Sequence, residues 1–389
     1  MSDSKEVLLK LVRAAMGWEC DFTLPPDIDW KAVLTMATEQ GVEAIAIDGY
    51  QAIKSKNPNT NLSLDSFENK PLLLEYLGRL RLAEQGNLHR LAALTELSEV
   101  LNDQKIPFML MKGFACSQYY PNPAHRACGD IDIFLGERFE ESNNALKAAG
   151  IEVNPNYYRH TVSYIKNVMI ENHRVLCDLR GPKRQTRKLE IQLETEGKRS
   201  MVAGKNVVIG GKIIHGAKFP TANFNALFLP WHVSAHFAFE RVNLRQLLYW
   251  ALFLKVEGRE IDLGLFKTAK QNYTYGYGKL ADVLTSLSIR YLNMPTDNIP
   301  SPIIYDALKN TTIISEKVLD YMISGKLRVR NERVWKFRLN NVKKVWSERW
   351  KYQELFNMNV FVFLYYKTKG VVFHEGEKMS CNGQDYCFY

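Results

Sequence analysis

Two aspartates interrupt a short apolar segment, "GDIDIFLG", and their spacing suits metal chemistry. Asp130 and Asp132 are separated by one isoleucine, so a β-strand here would place both carboxylates side by side on one face. Neighbouring anions raise one another's pKa unless a positive charge lies between them. The pattern therefore indicates a divalent cation, and oxygen ligands favour Mg²⁺ or Mn²⁺ over zinc, which would call for nearby His or Cys. A solvated strand edge is the alternative.

A third acid would complete an oxygen cage for two ions. The segment "VMIENHRVL" predicts a strand in which Glu171 and His173 share a face. Glu190, in the predicted strand "KLEIQLE", and Asp178 are alternative third ligands. Three carboxylates around two metals are typical of phosphoryl or nucleotidyl transfer. Glu171 as a solvent-facing strand residue is equally compatible with the pattern, and His173 would either position an acceptor or cap a hydrogen-bond network.

A lysine and a glycine lie where a predicted strand, "FMLM", meets a predicted helix, "FACSQYY". Gly113 would let the backbone approach a phosphate closely, and the amides at a helix start favour anions. Lys112 adds a positive charge at the same place. The chain contains no G-x-x-x-x-G-K-[ST] pattern, so this is not a Walker loop. A purely structural turn is the alternative.

Together these segments resemble the DNA polymerase β-like nucleotidyltransferase superfamily, in which a strand, a glycine turn with a short helix and a D-h-D strand precede one more acid. The closer resemblance is to its bacterial branch of uncharacterised nucleotidyltransferases, over roughly residues 74–254. The matching positions are Lys112-Gly113, Tyr120-Pro121, Arg126, Gly129-Asp130-Ile131-Asp132, His160, Glu171-Asn172-His173, His232 to His236 and Leu244-Arg245-Gln246-Leu247.

The resemblance implies an enzyme that uses Mg²⁺ or Mn²⁺ to move NMP from an NTP to a hydroxyl acceptor, with release of pyrophosphate. The acceptor would be a small molecule, a protein side chain or an RNA end. The catalytic and metal-binding residues would be Asp130, Asp132 and Glu171. The nucleotide-binding residues would be Lys112, Gly113, Ser117, Arg126 and His173, with a structural salt bridge as the alternative for Arg126.

Three positions depart from the superfamily pattern. Phe114 occupies the place where a serine often follows the turn glycine, and Ser117 comes three residues later. Asn172 replaces an apolar residue, and Tyr249 lies where an aspartate often follows the L-R-Q-L stretch. A catalytically silent nucleotide- or RNA-binding protein of the same fold is therefore the alternative function.

The elements that must position these residues change character along the chain. Helical periodicity predicts an N-terminal helical region over 1–103 and a helical domain over 219–325. Between them, 104–218 predicts an α+β unit of short strands with a helix over 139–149. The predicted fold class is thus α+β, a small mixed β-sheet nucleotidyltransferase core flanked by N-terminal and C-terminal helical regions. The predicted strands are "IPFMLM", "DIDIFL", "HTVSYIK", "VMIENHRVLC", "KLEIQLE" and "NVVIGGKIIHG".

A basic aromatic segment over 326–389 completes the predicted organisation. Trp335, Trp346 and Trp350 follow helical spacing among lysines and arginines, and a second basic cluster lies over 180–188. With a net charge of +9, this segment is a candidate surface for an anionic membrane or RNA. Packing of the tryptophans on the protein itself is the alternative.

Composition narrows the class of protein. The chain has 389 residues, of which 46% are hydrophobic, so it can bury a large core. No apolar run reaches the ~20 residues of a membrane span, and acids near the start argue against a secretory signal, so a cytoplasmic location with reduced cysteines is expected. His232 and His236 share a helical face with Glu240, but the H-E-x-x-H pattern of a zinc helix is absent. A buried histidine facing the catalytic lobe is the favoured interpretation.

Overall fold

Four helices precede the first strand, in agreement with the predicted N-terminal helical region. They are α1 (Ser2–Ala15), α2 (Trp30–Glu39), α3 (Glu43–Lys56) and α4 (Lys70–Asp103). The computed structural model describes residues 2–19, 24–25, 27–56, 63–66, 68–156, 159–177, 183–239, 242–272, 276–309, 311–323, 343, 345–362 and 364. Within these ranges, none of the helices has both the length and the apolar character needed to cross a bilayer.

A seven-stranded mixed sheet forms the centre of the molecule, so the predicted α+β class is confirmed. Its spatial order is β3-β4-β5-β2-β1-β7-β6, in which β5 and β2, and β1 and β7, are parallel neighbours. The strands are β1 (Phe108–Met111), β2 (Ile131–Phe134), β3 (Val153–Asn156), β4 (His160–Ile165), β5 (Val168–His173), β6 (Asn206–Ile209) and β7 (Lys212–Lys218).

The two faces of the sheet belong to two different hydrophobic cores. Ile131 and Ile133 of β2 pack with residues of α4 and with Leu146 of α6 (Phe139–Ala148), which confirms the predicted helix over 139–149. Phe134 of the same strand and Met111 of β1 join the larger core on the opposite face. Since side chains alternate along a strand, Asp132 lies on the face of Phe134. The carboxylates therefore face the larger core.

The prediction that "KLEIQLE" forms a strand is wrong, because this segment lies in α7 (Lys183–Ala203). A strand would place Leu189, Ile191 and Leu193 on one face. Leu189 and Leu193 are fully buried, whereas Ile191 is 52% exposed. The four-residue spacing of the two leucines on one helical face thus prevails over the short alternating pattern.

Within the described residues, six further α-helices follow the sheet, and all of them lie inside the stretch 219–325 for which helices were predicted. They are α8 (Ala222–Phe239), α9 (Leu244–Glu257), α10 (Leu263–Asn272), α11 (Tyr277–Leu292), α12 (Ser301–Lys309) and α13 (Thr312–Ile323). Asn243 begins α9 with a reciprocal capping box to Gln246, which satisfies two backbone amides. Buried residues of α1–α3 and α8–α13 form one continuous core, so the N-terminal and C-terminal helices support each other.

Only part of the predicted basic aromatic segment falls in the described part of the chain. Trp335 lies outside it, and the Trp346 side chain is half exposed. The Trp350 ring contacts Phe237 and Tyr321 edge-on. Lys351 is fully buried and pairs with a glutamate of the same segment at 2.7 Å. For Trp350 the structure therefore matches the alternative of packing on the protein itself, whereas Lys351 is buried and not a solvated lysine.

A two-residue turn, Lys166 and Asn167, joins β4 to β5. Both residues have positive φ angles, +48° and +59°, as a type I′ turn requires. The turn pairs Ile165 with Val168, and the ladder then continues to His160 opposite His173.

Candidate active site

Three carboxylates meet on one face of the sheet. Asp132 lies in β2, and it is the direct partner of Glu171 in the parallel strand β5. Asp130 immediately precedes β2, because the observed strand begins one residue later than the predicted "DIDIFL". Each of the three acids offers an oxygen within 4.8 Å of the other two. The structure thus brings together the three residues that were predicted as metal ligands.

Negative charge is concentrated at this cluster. The charge of Asp132, and secondly burial, raises the pKa of the Asp130 carboxyl above its usual value. Asp132 itself is fully buried, and its Oδ2 atom has no hydrogen-bond partner among the described residues. A buried oxygen of a carboxylate is costly to leave without a partner, so this atom is a natural ligand for a cation.

Lys112 supplies the nearest positive charge. It directly follows Met111, which is the partner of Asp132 in the antiparallel β1–β2 ladder, and the Lys112 Nζ atom lies 2.8 Å from Asp132 Oδ1. Burial alone would lower the pKa of the ammonium, but the charges of Asp132, Glu171 and Asp130 raise it overall. The lysine therefore remains protonated. Its φ angle of +27° is unusual for a residue with a side chain, which marks a strained backbone at the site.

Two histidines flank Glu171. The Nε2 atom of His173 lies 2.9 Å from Asp132 Oδ1 and 3.2 Å from Glu171 Oε2. His160 Nε2 lies 3.8 Å from the other oxygen of Glu171. Although burial would raise the pKa of Glu171, the His173 hydrogen bond and the Lys112 charge lower it well below its usual value. His173 thus contacts the carboxylates, in line with the predicted hydrogen-bond network, and its predicted nucleotide contact stays a prediction.

Gly113 allows a close approach within the site. A methyl group added at its Cα would lie 3.2 Å from Cys128 Sγ and 3.7 Å from the carbonyl oxygen of Asp130. The helix predicted after it is shorter than expected: α5 (Lys112–Ala115) continues as a 3₁₀ turn, Cys116–Tyr119. Any larger side chain here would push against the segment that carries the aspartates.

Ser117 and Arg126 differ in how they relate to the cluster. The Ser117 side chain is buried, and its hydroxyl donates to the Phe114 carbonyl oxygen at 2.7 Å, so its predicted phosphate contact stays a prediction. Arg126 is buried, and its Nε atom has no hydrogen-bond partner within the described part of the chain. None of the ion pairs between described residues includes Arg126, so the alternative of a salt bridge to the aspartate strand is not observed there.

Of the two rival third ligands, Glu190 binds elsewhere. The Glu190 carboxylate accepts hydrogen bonds from the backbone amides of Leu176 and Cys177 at 2.9 and 2.6 Å. It therefore stabilises the segment that follows β5. Asp178 lies outside the described residues.

Histidines of α8 form a second polar group on the larger core. His232 Nδ1 lies 3.2 Å from the Tyr249 hydroxyl, and its Nε2 lies 3.1 Å from His236 Nε2. Burial, followed by the nearby His236 and Lys112, lowers the pKa of His232 well below its usual value. His232 is thus half-buried and close enough to Lys112 to respond to its charge, and the interpretation of a buried histidine facing the catalytic lobe stays a prediction. Glu240 lies outside the described residues.

Sequence reasoning named His160 only as a position that matches the family pattern and gave it no role at the site. The sequence feature that points to His160 is the short hairpin, because the two-residue turn at Lys166 and Asn167 makes His160 the partner of His173. Counting back from that turn would have found it.

Paired aspartates at the start of a central strand, a third acid on the parallel neighbour and a lysine–glycine turn are features of the nucleotidyltransferase class. The chain belongs to the family described as uncharacterised nucleotidyltransferase, whose model matches residues 26–275. The predicted family is thereby confirmed, and the match extends beyond the predicted 74–254 to include helices of the shared core. Neither the curated proteins nor the solved structures gave a match.

Proposed function

We propose that this nucleotidyltransferase uses a divalent cation, Mg²⁺ or Mn²⁺, to transfer NMP from an NTP to a hydroxyl acceptor. The observation that carries the proposal is the convergence of Asp130, Asp132 and Glu171 within 4.8 Å on neighbouring segments of one sheet. Family membership supports nucleotidyl transfer in general, and the carboxylate cluster supports its dependence on metal.

The donor set fits a hard divalent cation. All three ligands are carboxylates, and the buried Asp132 Oδ2 atom has no hydrogen-bond partner among the described residues. When bound, such ions polarise the acceptor hydroxyl and neutralise the charge that develops on the leaving pyrophosphate.

Two cations, the partly buried Lys112 and the buried Arg126, are our candidates for binding phosphate oxygens. Lys112 carries its charge at the carboxylate cluster, 2.8 Å from Asp132. Arg126 lies behind the glycine turn, with one guanidinium nitrogen 3.6 Å from the position of a methyl group added to Gly113. A guanidinium can hold a phosphate through two parallel hydrogen bonds, whereas an ammonium acts as a point charge. We assign both residues to the triphosphate.

We assign Glu171 the role of accepting the proton of the acceptor hydroxyl. Its carboxyl is ionised at neutral pH because its pKa is lowered. In the reaction the acceptor oxygen forms a bond to the α-phosphorus, the bond between that phosphorus and the bridging oxygen breaks, and pyrophosphate leaves. The proton of the acceptor passes to a Glu171 carboxylate oxygen.

Transfer of label tests the proposal. Purified protein is incubated with each α-labelled NTP, with Mg²⁺ or Mn²⁺ and with cell extract as the source of acceptor, and labelled products are identified by their mass shift. We expect metal-dependent label transfer that Asp130→Asn reduces about 100-fold or more. Asp297→Asn, at an exposed aspartate outside the cluster, is the matched control and should transfer normally. Equal transfer by Asp130→Asn, or none by the wild type with any NTP, contradicts the proposal.

A catalytically silent nucleotide-binding protein of the same fold is the second candidate. Phe114 follows the turn glycine, and the Ser117 hydroxyl is already bonded to a backbone carbonyl, so the site has no free serine hydroxyl at the expected place. This candidate predicts that calorimetry detects NTP binding while pyrophosphate release remains at background.

A further inference from the structure

The β4–β5 hairpin places two imidazoles and a carboxylate on one face. His160 and His173 are direct partners across the ladder, and Glu171 lies two residues before His173 in β5. Residues two apart on a strand share a face, and cross-strand partners do as well. The three side chains therefore point to the same side of the sheet because of strand register alone.

The donor atoms of these side chains converge. Glu171 directs one oxygen to each histidine: Oε2 lies 3.2 Å from His173 Nε2, and Oε1 lies 3.8 Å from His160 Nε2. The two rings are 5.0 Å apart, and each of the three residues offers a ligand atom within 4.8 Å of the other two. Two ligands that are each ~2.1 Å from one ion are ~3.0–3.5 Å apart. The separation of Glu171 from His173 lies in that range, and its separation from His160 exceeds the range by a few tenths of an ångström.

The chemistry of this donor set differs from that of the three carboxylates. Imidazole nitrogen binds Zn²⁺, Mn²⁺, Fe²⁺ and related ions, whereas Mg²⁺ prefers oxygen ligands. We propose that His160, Glu171 and His173 bind a divalent transition-metal ion. Glu171 belongs to both donor sets, so the transition-metal ion and the cation of the aspartates share a bridging carboxylate.

This metal site goes beyond the proposed function and does not depend on it. A catalytically silent protein of this fold would still bind the transition-metal ion, whereas a transferase that uses only Mg²⁺ would have no need to bind it. The alternative is that both histidines act only within the folded structure. His173 already contacts Asp132 at 2.9 Å, so His160 is the more informative residue to replace.

The nitrogen ligands can be detected directly, without any measurement of activity. Untagged full-length protein is stripped of metal with EDTA and loaded with substoichiometric Mn²⁺, and pulsed EPR then measures the magnetic coupling of ¹⁴N to the ion. We expect imidazole nitrogen coupling in the wild type, and weaker coupling in His160→Ala. His215→Ala removes an exposed histidine of β7 and is the matched control, in which the coupling should be unchanged.

Calorimetry with single metals separates binding from a structural role. We expect His160→Ala to weaken Zn²⁺ binding by at least ~10-fold and to change Mg²⁺ binding by less than about 2-fold, since the Mg²⁺ ligands are all oxygens. Absence of ¹⁴N coupling in the wild type overturns the proposal without the need for any variant. Unchanged Zn²⁺ affinity in His160→Ala, or an equal loss for Zn²⁺ and Mg²⁺, also overturns it.

Discussion

Replacing Asp130 with asparagine should stabilise the metal-free protein while it abolishes nucleotidyl transfer. Asp130 lies within 4.8 Å of two other carboxylates, and its pKa is raised by Asp132 and by burial. Two like charges at that distance repel by about 3 kcal/mol at an effective dielectric constant of about 20. Attraction to Lys112 offsets part of this, but the raised pKa shows that repulsion and burial prevail.

The expected net effect follows from this balance. Asp130→Asn removes one negative charge and keeps the shape of the side chain, so we expect a gain of about 1 kcal/mol in the free energy of unfolding. For a protein of this size that gain corresponds to a rise in Tm of about 1–2 °C. A ligand that binds only the folded state stabilises it by about 2.7 kcal/mol at a hundred times its Kd. Metal should therefore stabilise the wild type and have much less effect on the variant.

Thermal and urea unfolding in EDTA, and then with Mg²⁺ or Mn²⁺, measure both effects. The variant should be the more stable protein in EDTA and the less stable one at saturating metal. Asp297→Asn, an exposed aspartate elsewhere, should show neither difference. A variant that is less stable than the wild type in EDTA, or that gains as much stability from metal, would refute the reasoning.

Two further predictions concern the helices. Gly49→Ala should lower the free energy of unfolding in urea by about 3 kcal/mol or more, because the new methyl group would lie 1.9 Å from the Leu11 carbonyl oxygen of α1. Gly78→Ala, in open space on α4, is the control and should raise the free energy of unfolding by about 0.5–1 kcal/mol. Similar changes in the two variants would contradict the packing argument. The ring nitrogens of His125 lie 2.7 and 3.0 Å from carboxylates of α3 and α4, and although burial opposes it, these hydrogen bonds raise the pKa of the histidine. A histidine whose pKa is raised in the folded protein stabilises it fully at pH values below the pKa of the unfolded state, and this stabilisation is lost as the pH rises through the raised pKa. His125→Gln should therefore lower the free energy of unfolding by about 1–2 kcal/mol at pH ~6 and by much less at pH ~9. An equal loss of stability at the two pH values would refute this reasoning.

Local patterns predicted the strand with the aspartates well, because alternation requires only neighbouring residues. The parallel pairing that places Glu171 beside Asp132 is a long-range contact, and the sequence left Glu190 as a rival. β3 was not predicted, since "VNPN" contains a proline and two asparagines, and its pairing with β4 prevails over its low β-propensity. In α7 the reverse occurred, because a short alternating segment lies within a longer helical period.

The tight connection at Lys166 and Asn167 determines which residues of β4 and β5 lie opposite each other, even at the far end of the hairpin. Five residues of extended chain, ~17 Å, separate His160 from the end of β4. One added residue at that connection would offset the whole ladder, so that His160 would project from the other side of the sheet, away from Glu171. The length of this exposed loop should therefore be as restricted in related chains as the identity of the side chains that it aligns.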